Sequence, residues 1–185
     1  MDDSSFVSPE ELEAGLDYLM QAPREAGTLR MIVRRPKVDE REVIAEGELD
    51  LAVGLVGDSW LTRGTGDEPA EPDMQLNIMN ARAIELICPA VERRPLAGDQ
   101  LYVDFDLSVE NLPVGSRLSI GATVVEITAV PHLGCKKFAR RFGQDAVMFV
   151  NSPTGKSLRL RGVNARVVVP GAIRAGDPVV RSAST

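Results

Sequence analysis

The chain reads as mainly β: a closed or nearly closed β-barrel with a few short helices and an N-terminal helical extension. Three observations carry that reading. Short segments of alternating apolar and polar residues recur from residue 28 onward. Glycines and prolines punctuate them, as they do in small barrels. Helical spacing is confined to the start of the chain and two short stretches further on. We place the helical extension over residues 1–26 and the barrel domain over 27–182.

The extension opens on Ser8-Pro9-Glu10-Glu11, with Ser8 as N-cap, Pro9 in the first turn and Glu11 closing a capping box. Leu12, Leu16 and Leu19 follow at helical spacing, which predicts one amphipathic helix over 8–21, ended by Pro23 and Gly27. Leu29 to Arg34 reads as a strand stopped by Pro36, and Glu42 to Leu55 as one or two more. Residues 62–73 read as a polar loop. Asn80 to Ala90 has helical character, and Leu101 to Phe105 alternates as a strand does. Arg117 to Val130 is strand-like with a turn or bulge at Gly121. Leu158 to Arg161 and Ala165 to Val169 read as two further strands. Asn151 to Ser157 contains a Gly-Lys-Ser, but Val150 stands where a phosphate loop needs its first glycine. We read that segment as a hairpin turn. Gly98-Asp99 and Gly176-Asp177 read as ordinary turns before strands.

Composition narrows the function classes. The chain has 185 residues, 44% hydrophobic and 26% charged, which suits one soluble globular domain. No apolar run approaches the roughly 18 residues that suggest a membrane span, and the acidic, polar start does not fit a secretory signal. A cytoplasmic protein with no membrane partner is expected. Two cysteines are too few for a disulfide framework. A single histidine, His132, offers with Cys135 only two of the four ligands of a structural zinc, so zinc is not expected. The formal net charge is −6, yet from Cys135 to Arg166 eight basic residues face one acidic residue, Asp145. Such a patch suggests a local anion site rather than a nucleic-acid surface, which needs an extended basic face; solvated surface charge is the plain alternative.

The stretch richest in chemistry is Pro131-His132-Leu133-Gly134-Cys135-Lys136-Lys137-Phe138-Ala139-Arg140-Arg141. It sets a cysteine after a glycine turn at the start of a short helix, with cations following at once. Helix-terminal N–H groups and neighbouring cations both favour the thiolate, which acts as nucleophile or metal ligand. An unreactive, buried cysteine is the alternative. His132 either orients or deprotonates the thiol or has no role. Arg159, Arg161 and Arg166 alternate along the expected strands and either reach the same pocket or face solvent.

Several segments in fixed order resemble the MOSC domain, the C-terminal domain of molybdenum cofactor sulfurases. They are Gly57-Asp58, Glu110-Asn111-Leu112, the Pro-x-x-x-Cys-Lys-Lys-Phe around Cys135, Arg161-Gly162-Val163-x-Ala165-x-Val167, and a closing Gly171-x-Ile173-x-x-Gly176-Asp177. The resemblance covers roughly residues 47–181. It implies a β-barrel, binding of the molybdenum cofactor (molybdopterin), and handling of sulfur or molybdenum through Cys135. Under it, Cys135 is the persulfide carrier or the molybdenum ligand, with His132 beside it. Asp58, Glu110, Asn111, Lys136, Lys137, Arg140 and Arg161 are then the expected cofactor contacts. Two functions follow. The first is a cofactor-binding sulfur carrier or delivery protein, charged by a sulfur donor such as a cysteine desulfurase, for which the chain itself has no room. The second is a molybdenum-dependent oxidoreductase that reduces N-hydroxylated compounds with an electron-donating partner reductase. Without a ferredoxin cysteine pattern or a dinucleotide fingerprint in the chain, the first is the preferred expectation.

Overall fold

Residues 6–62 and 70–182 are described by the computed structural model of the chain. Seven strands close on themselves in the order Ala26–Arg34 (β1), Pro178–Arg181 (β11), Arg117–Ile120 (β7), Thr123–Ile127 (β8), Val163–Val169 (β9), Leu76–Asn80 (β5) and Leu101–Asp104 (β6), which pairs back onto β1. Closure removes the open edges of the sheet. The far half of β1 also carries Glu42–Ile44 (β2). A small sheet of Gly171–Arg174 (β10), Glu46–Asp50 (β3) and Gly54–Leu55 (β4) adds Leu49, Leu55 and Ile173 to the barrel interior.

Two cores share the strands. Leu29, Ile32, Leu101, Val103, Ile78 and Val125 fill the barrel. Their neighbours Val33, Tyr102 and Met79 point outward and are buried under a helical layer. That is why Leu101-Tyr102-Val103 is apolar without a break: both faces of β6 are covered. Pairing of β1 with β6 slips between Leu29 and Met31, and this bulge returns Ile32 to the interior after Met31 has turned out toward the helices.

The helical layer begins with the extension. Pro9–Ala14 (α1) has the expected capping box, with the Ser8 hydroxyl accepting from Glu11 N and the Glu11 carboxylate accepting from Ser8 N. The single helix expected over 8–21 is instead two, because Gly15 separates α1 from Leu16–Met20 (α2). A side chain at Gly15 would stand 2.4 Å from Leu86, so the glycine permits close approach to Ala81–Ile87 (α3). Leu12 and Leu19 join the same core as Phe138 and Phe142 of Lys136–Phe142 (α4), so the extension is part of the layer.

Two expectations fail between residues 144 and 162. Gln144–Asn151 (α5) was not foreseen, and the expected hairpin turn is a second helix, Pro153–Ser157 (α6), capped by Ser152 with Pro153 in the first turn. The strand expected over Leu158–Arg161 is a turn wrapped on the end of α6: Leu158, Arg159 and Leu160 donate back to Thr154, Lys156 and Gly155. Arg159 takes φ +49°, which no strand allows. Leu-Arg-Leu-Arg alternates here because Leu158 and Leu160 pack into the helical core, not because the backbone is extended. Of the polar loop expected over 62–73, residues 63–69 lie outside the described residues and Pro72–Met74 forms a 3₁₀ turn.

The tightest fastening of this architecture is Arg35, just past β1. It donates to Asp58 from its backbone N and from Nε and Nη2 (3.0, 2.8 and 2.8 Å). Both side chains are almost fully buried, at 5% and 0% exposure. Truncating one partner of a buried pair leaves the other charge unpaired, at a cost of about 3–5 kcal/mol, against about 0–1 for an exposed pair. Arg35→Ala is therefore expected to lower the urea midpoint strongly. Arg34→Ala, which loses an exposed pair with Glu42, is the control expected to move it little.

Candidate functional site

The segment leaving β8 is clamped before it reaches Cys135. The Asn164 side chain donates to Val130 O. Asn151 grips Gly134 from both sides, accepting its N–H at 2.9 Å and donating to its carbonyl at 3.0 Å. Phe138 and Phe142 then anchor α4 in the helical core. Cys135 is the N-cap residue of α4, with extended backbone and an exposed thiol that makes no capping bond. Lys136, Lys137 and Arg140 are exposed beside it, and among the described residues none is paired with a carboxylate. Arg141 turns inward, to Leu96 O and Asp39. Cys88 is buried, its thiol donating to Ala90 O.

Three residues before Cys135, His132 belongs to a buried charged group that sequence reasoning did not find. Its Nε2 lies 2.7 Å from Oδ1 of Asp99, a carboxylate with no exposure at all. Arg161 Nη1 donates to both Asp99 oxygens (2.9 and 2.7 Å), and Nη2 donates to Ala97 O. The guanidinium lies over the Phe138 ring, 4.9 Å from its centre. Burial alone would push the Asp99 carboxyl up, but Arg161 and His132, through charge and hydrogen bonds together, outweigh it and the carboxyl is held at about 2. Burial, then Arg161, pulls His132 below its ordinary value despite Asp99. The group at neutral pH is therefore carboxylate, guanidinium and neutral imidazole. An ionised carboxylate only accepts, so Nε2 must carry the imidazole proton and Nδ1 must be the bare nitrogen.

His132 and Arg161 line a cavity of about 380 Å³ with Lys156 and Arg159 on the polar side and Val114, Val130 and Leu133 on the apolar side. The Arg159 guanidinium donates to the carbonyls of Leu107 and Leu112. Gly162 completes the wall at φ +111°. A side chain there would sit 2.3 Å from Ile78 O and 3.2 Å from the His132 ring. The structure thus gathers His132, Arg161 and Arg159 at one cavity, with Cys135 and its cations three residues along from His132.

The other expected contacts stand elsewhere. The Asp58 carboxylate accepts five hydrogen bonds, three from Arg35 and one each from Trp60 N and Gln100, so it secures a loop rather than facing a cavity. Glu110 is exposed and pairs with Arg24. Asn111 is buried, donating to Arg24 O and Asp106 O. Asp106 follows β6 whereas Asp99 precedes it, so Glu110 and Asn111 lie beyond the opposite end of that strand from His132. Arg166 is exposed, paired with Glu126 and Asp73. Asp99 was hidden because its partners are 33 and 62 residues away. The available signal was a Gly-Asp just before a fully apolar strand, where a lone acid needs a cation.

Both Asp99 and His132 bind protons less readily folded than unfolded, so each contributes stability that is present at high pH and lost in acid. The His132 contribution is complete above about pH 6.5 and declines below it; the Asp99 contribution is complete above about pH 4 and is lost toward pH 2. With one histidine in the chain, urea midpoints are expected to fall between pH 7 and 5 in the wild type. That fall should be much smaller in His132→Gln, and equal falls in both proteins would contradict the assignment.

Residues 92–180 match the sequence model of the MOSC domain. No curated protein matches the chain. Among solved structures it is similar to the YuaD protein from Bacillus subtilis, with TM-score 0.63 and 17% identity over 86% of this chain and 97% of that one. YiiM from Escherichia coli aligns with TM-score 0.55 and 19% identity over 85% and 71% of the two chains. YiiM from Geobacillus stearothermophilus aligns with TM-score 0.51 and 16% identity over 86% and 73%. At these identities the likeness is one of fold. The matched span runs from the 3₁₀ turn before Asp99 through His132, Cys135 and Arg161 to β11, and over that span the chain carries the MOSC-domain pattern.

Proposed function

We propose that this protein binds the molybdenum cofactor and carries sulfur on Cys135 for delivery to it or to a partner. The observation that carries the reading is the exposed Cys135 thiol at a clamped helix start, followed by surface cations unpaired among the described residues and standing three residues from His132, which lines a partly apolar cavity. The donor set suits the cofactor in three respects. A thiolate is the soft ligand that a thiophilic metal takes. Lys136, Lys137 and Arg140 would hold an anionic phosphate. The Arg161 Nε is a buried N–H with no partner among the described residues, beside a cavity with an apolar wall for a ring system. No group of three or more His, Cys, Asp or Glu side chains that could share a metal stands among the described residues, and Cys135 is the residue that would hold the molybdenum. When bound, the cofactor supplies a thiophilic metal and a pterin.

Sulfur carriage needs no electrons from this chain. The Cys135 thiolate attacks the terminal sulfur of a donor persulfide; an S–S bond forms on Cys135 and the donor's S–S bond breaks, leaving the donor thiolate. A cysteine desulfurase is the class of partner that presents such a persulfide. The second reading is the molybdenum-dependent reduction of N-hydroxylated compounds, with electrons from a partner reductase. It is favoured by one feature: a neutral imidazole whose bare nitrogen is beside the cavity suits a reaction that moves protons.

Two measurements test the proposal. Protein made in a cofactor-producing host is expected to contain molybdenum and oxidisable pterin near one per chain, with Cys135→Ser losing both the metal and persulfide labelling. A variant retaining both would remove Cys135 from the site. Replacing Lys136 and Lys137 together by Gln should weaken cofactor retention by roughly tenfold at most, as exposed charge contacts do. Retention by this variant should also depend less on salt than in the wild type, as screening of fewer charges requires. An unchanged salt dependence would place the phosphate elsewhere.

A further inference from the structure

We infer that His132 is the proton acceptor of the cavity, and that Asp99 and Arg161 are positioning residues that hold it ready for that role. The inference deepens the site reading above and rests on it for the identity of the ligand, though not for the geometry.

Four observations carry it. Asp99 has no exposure and ion-pairs with Arg161 through both carboxylate oxygens, so it is a fixed anion rather than a passing contact. Its Oδ1 meets His132 Nε2 at 2.7 Å, which places the imidazole proton on Nε2. Nδ1 then keeps its lone pair. It makes no hydrogen bond among the described residues, and the ring that carries it lines the cavity. Finally, the ring cannot turn freely. A side chain at Gly162 would stand 3.2 Å from its Cδ2 edge, and the Asn151–Gly134 clamp fixes the chain two residues on.

A base oriented by a buried carboxylate, which is in turn fixed by a third group, is the general form of an activated proton acceptor. The acid it serves is a weakly acidic N–H or S–H group of a ligand in the cavity. The proton leaves that group for Nδ1, and the group's electron pair stays behind as an anion among Arg159, Lys156 and Arg161. The imidazolium so formed keeps its Nε2–H on Asp99, which shares its negative charge between Arg161 and the ring. Asp99 itself is never protonated. Without the carboxylate, the neutral ring would be free to carry its proton on Nδ1 and present a donor to the ligand instead.

A chain with one histidine makes the test direct. In ¹⁵N NMR of the uniformly labelled wild-type protein at pH 7.5, the single imidazole is expected as one tautomer, protonated at Nε2 and bare at Nδ1. Diethyl pyrocarbonate, which attacks an unprotonated accessible ring nitrogen, is expected to place one adduct on His132. Asp99→Asn is expected to lose the single tautomer and give a mixture. If it does not fold, Asp99→Asn with Arg161→Met removes both buried charges at once, and the same loss is expected. An Nδ1-protonated or averaged ring in the wild type would overturn the inference, as would no adduct on His132 or an unchanged tautomer in the folded variants. Molybdenum and pterin content measured on the same samples separates this inference from the functional reading. A locked tautomer in protein that binds no cofactor sinks only that reading; bound cofactor with a mixed tautomer sinks only the inference.

Discussion

Three guanidinium groups from three separate parts of the chain converge on the carbonyls of residues 96 to 98. Arg141 of α4 donates to Leu96 O, Arg161 ahead of β9 to Ala97 O, and Arg35 past the end of β1 to Gly98 O. Charged donors make the stronger hydrogen bonds, and buried carbonyls must be satisfied. The turn at residues 98 to 100 is thereby the point where barrel, helical layer and the loop bearing Asp58 are tied together. Gly98 turns the chain there at φ +92°. Next in line, Gln100 donates to Gln75 O and accepts from Asn77 N, fixing β5 beside β6. The site depends on this knot, because Asp99 inherits its position from it, and His132 from Asp99.

The electrostatics of the knot explain its composition. Arg35 is answered by Asp58, Arg141 by Asp39 and Arg161 by Asp99. Adding a proton to His132 would set a further cation beside Arg161 in a buried setting, and burial and Arg161 together resist it. The imidazole is kept neutral by its surroundings while its orientation is set by Asp99. At the surface the balance differs: Lys136, Lys137 and Arg140 have no such acidic partners among the described residues. The region thus divides into a cationic rim suited to an anion and an interior where a neutral acceptor is maintained.

How much of this was legible depended on how local the cause was. The capping box at Ser8, the helix starting at Asn80 and the Gly121 turn between β7 and β8 each have local causes, and all three could be read from sequence. So could the helix start at Cys135, where a glycine precedes the cations. The 151–161 segment failed although its local signal was present: Ser152-Pro153 is a helix start, and the two-residue rhythm of Leu158 to Arg161 was given more weight. Period alone cannot separate a short strand from a turn that buries alternate leucines. The Asp99 group was beyond local reading, since its members come from positions 99, 132 and 161 and meet only after the barrel has closed.

Asp58 and Asp99 carry the same lesson for glycine–aspartate pairs in a barrel of this kind. Both follow a glycine with positive φ, Gly57 and Gly98, and both side chains are fully buried with an arginine across a two-oxygen contact. They differ in what remains free. Asp58 spends its remaining acceptor positions on Trp60 N and Gln100, closing the group within the protein. Asp99 offers its Oδ1 to a ring that borders a cavity. Buried ion pairs of similar geometry therefore serve different ends here. One holds a loop against β1, while the other extends through an imidazole to the place where a ligand would sit. The distinction lies in the third partner, which must be able to take up a proton without breaking the pair behind it, and His132 is the only residue in the chain whose ordinary titration allows that near neutral pH.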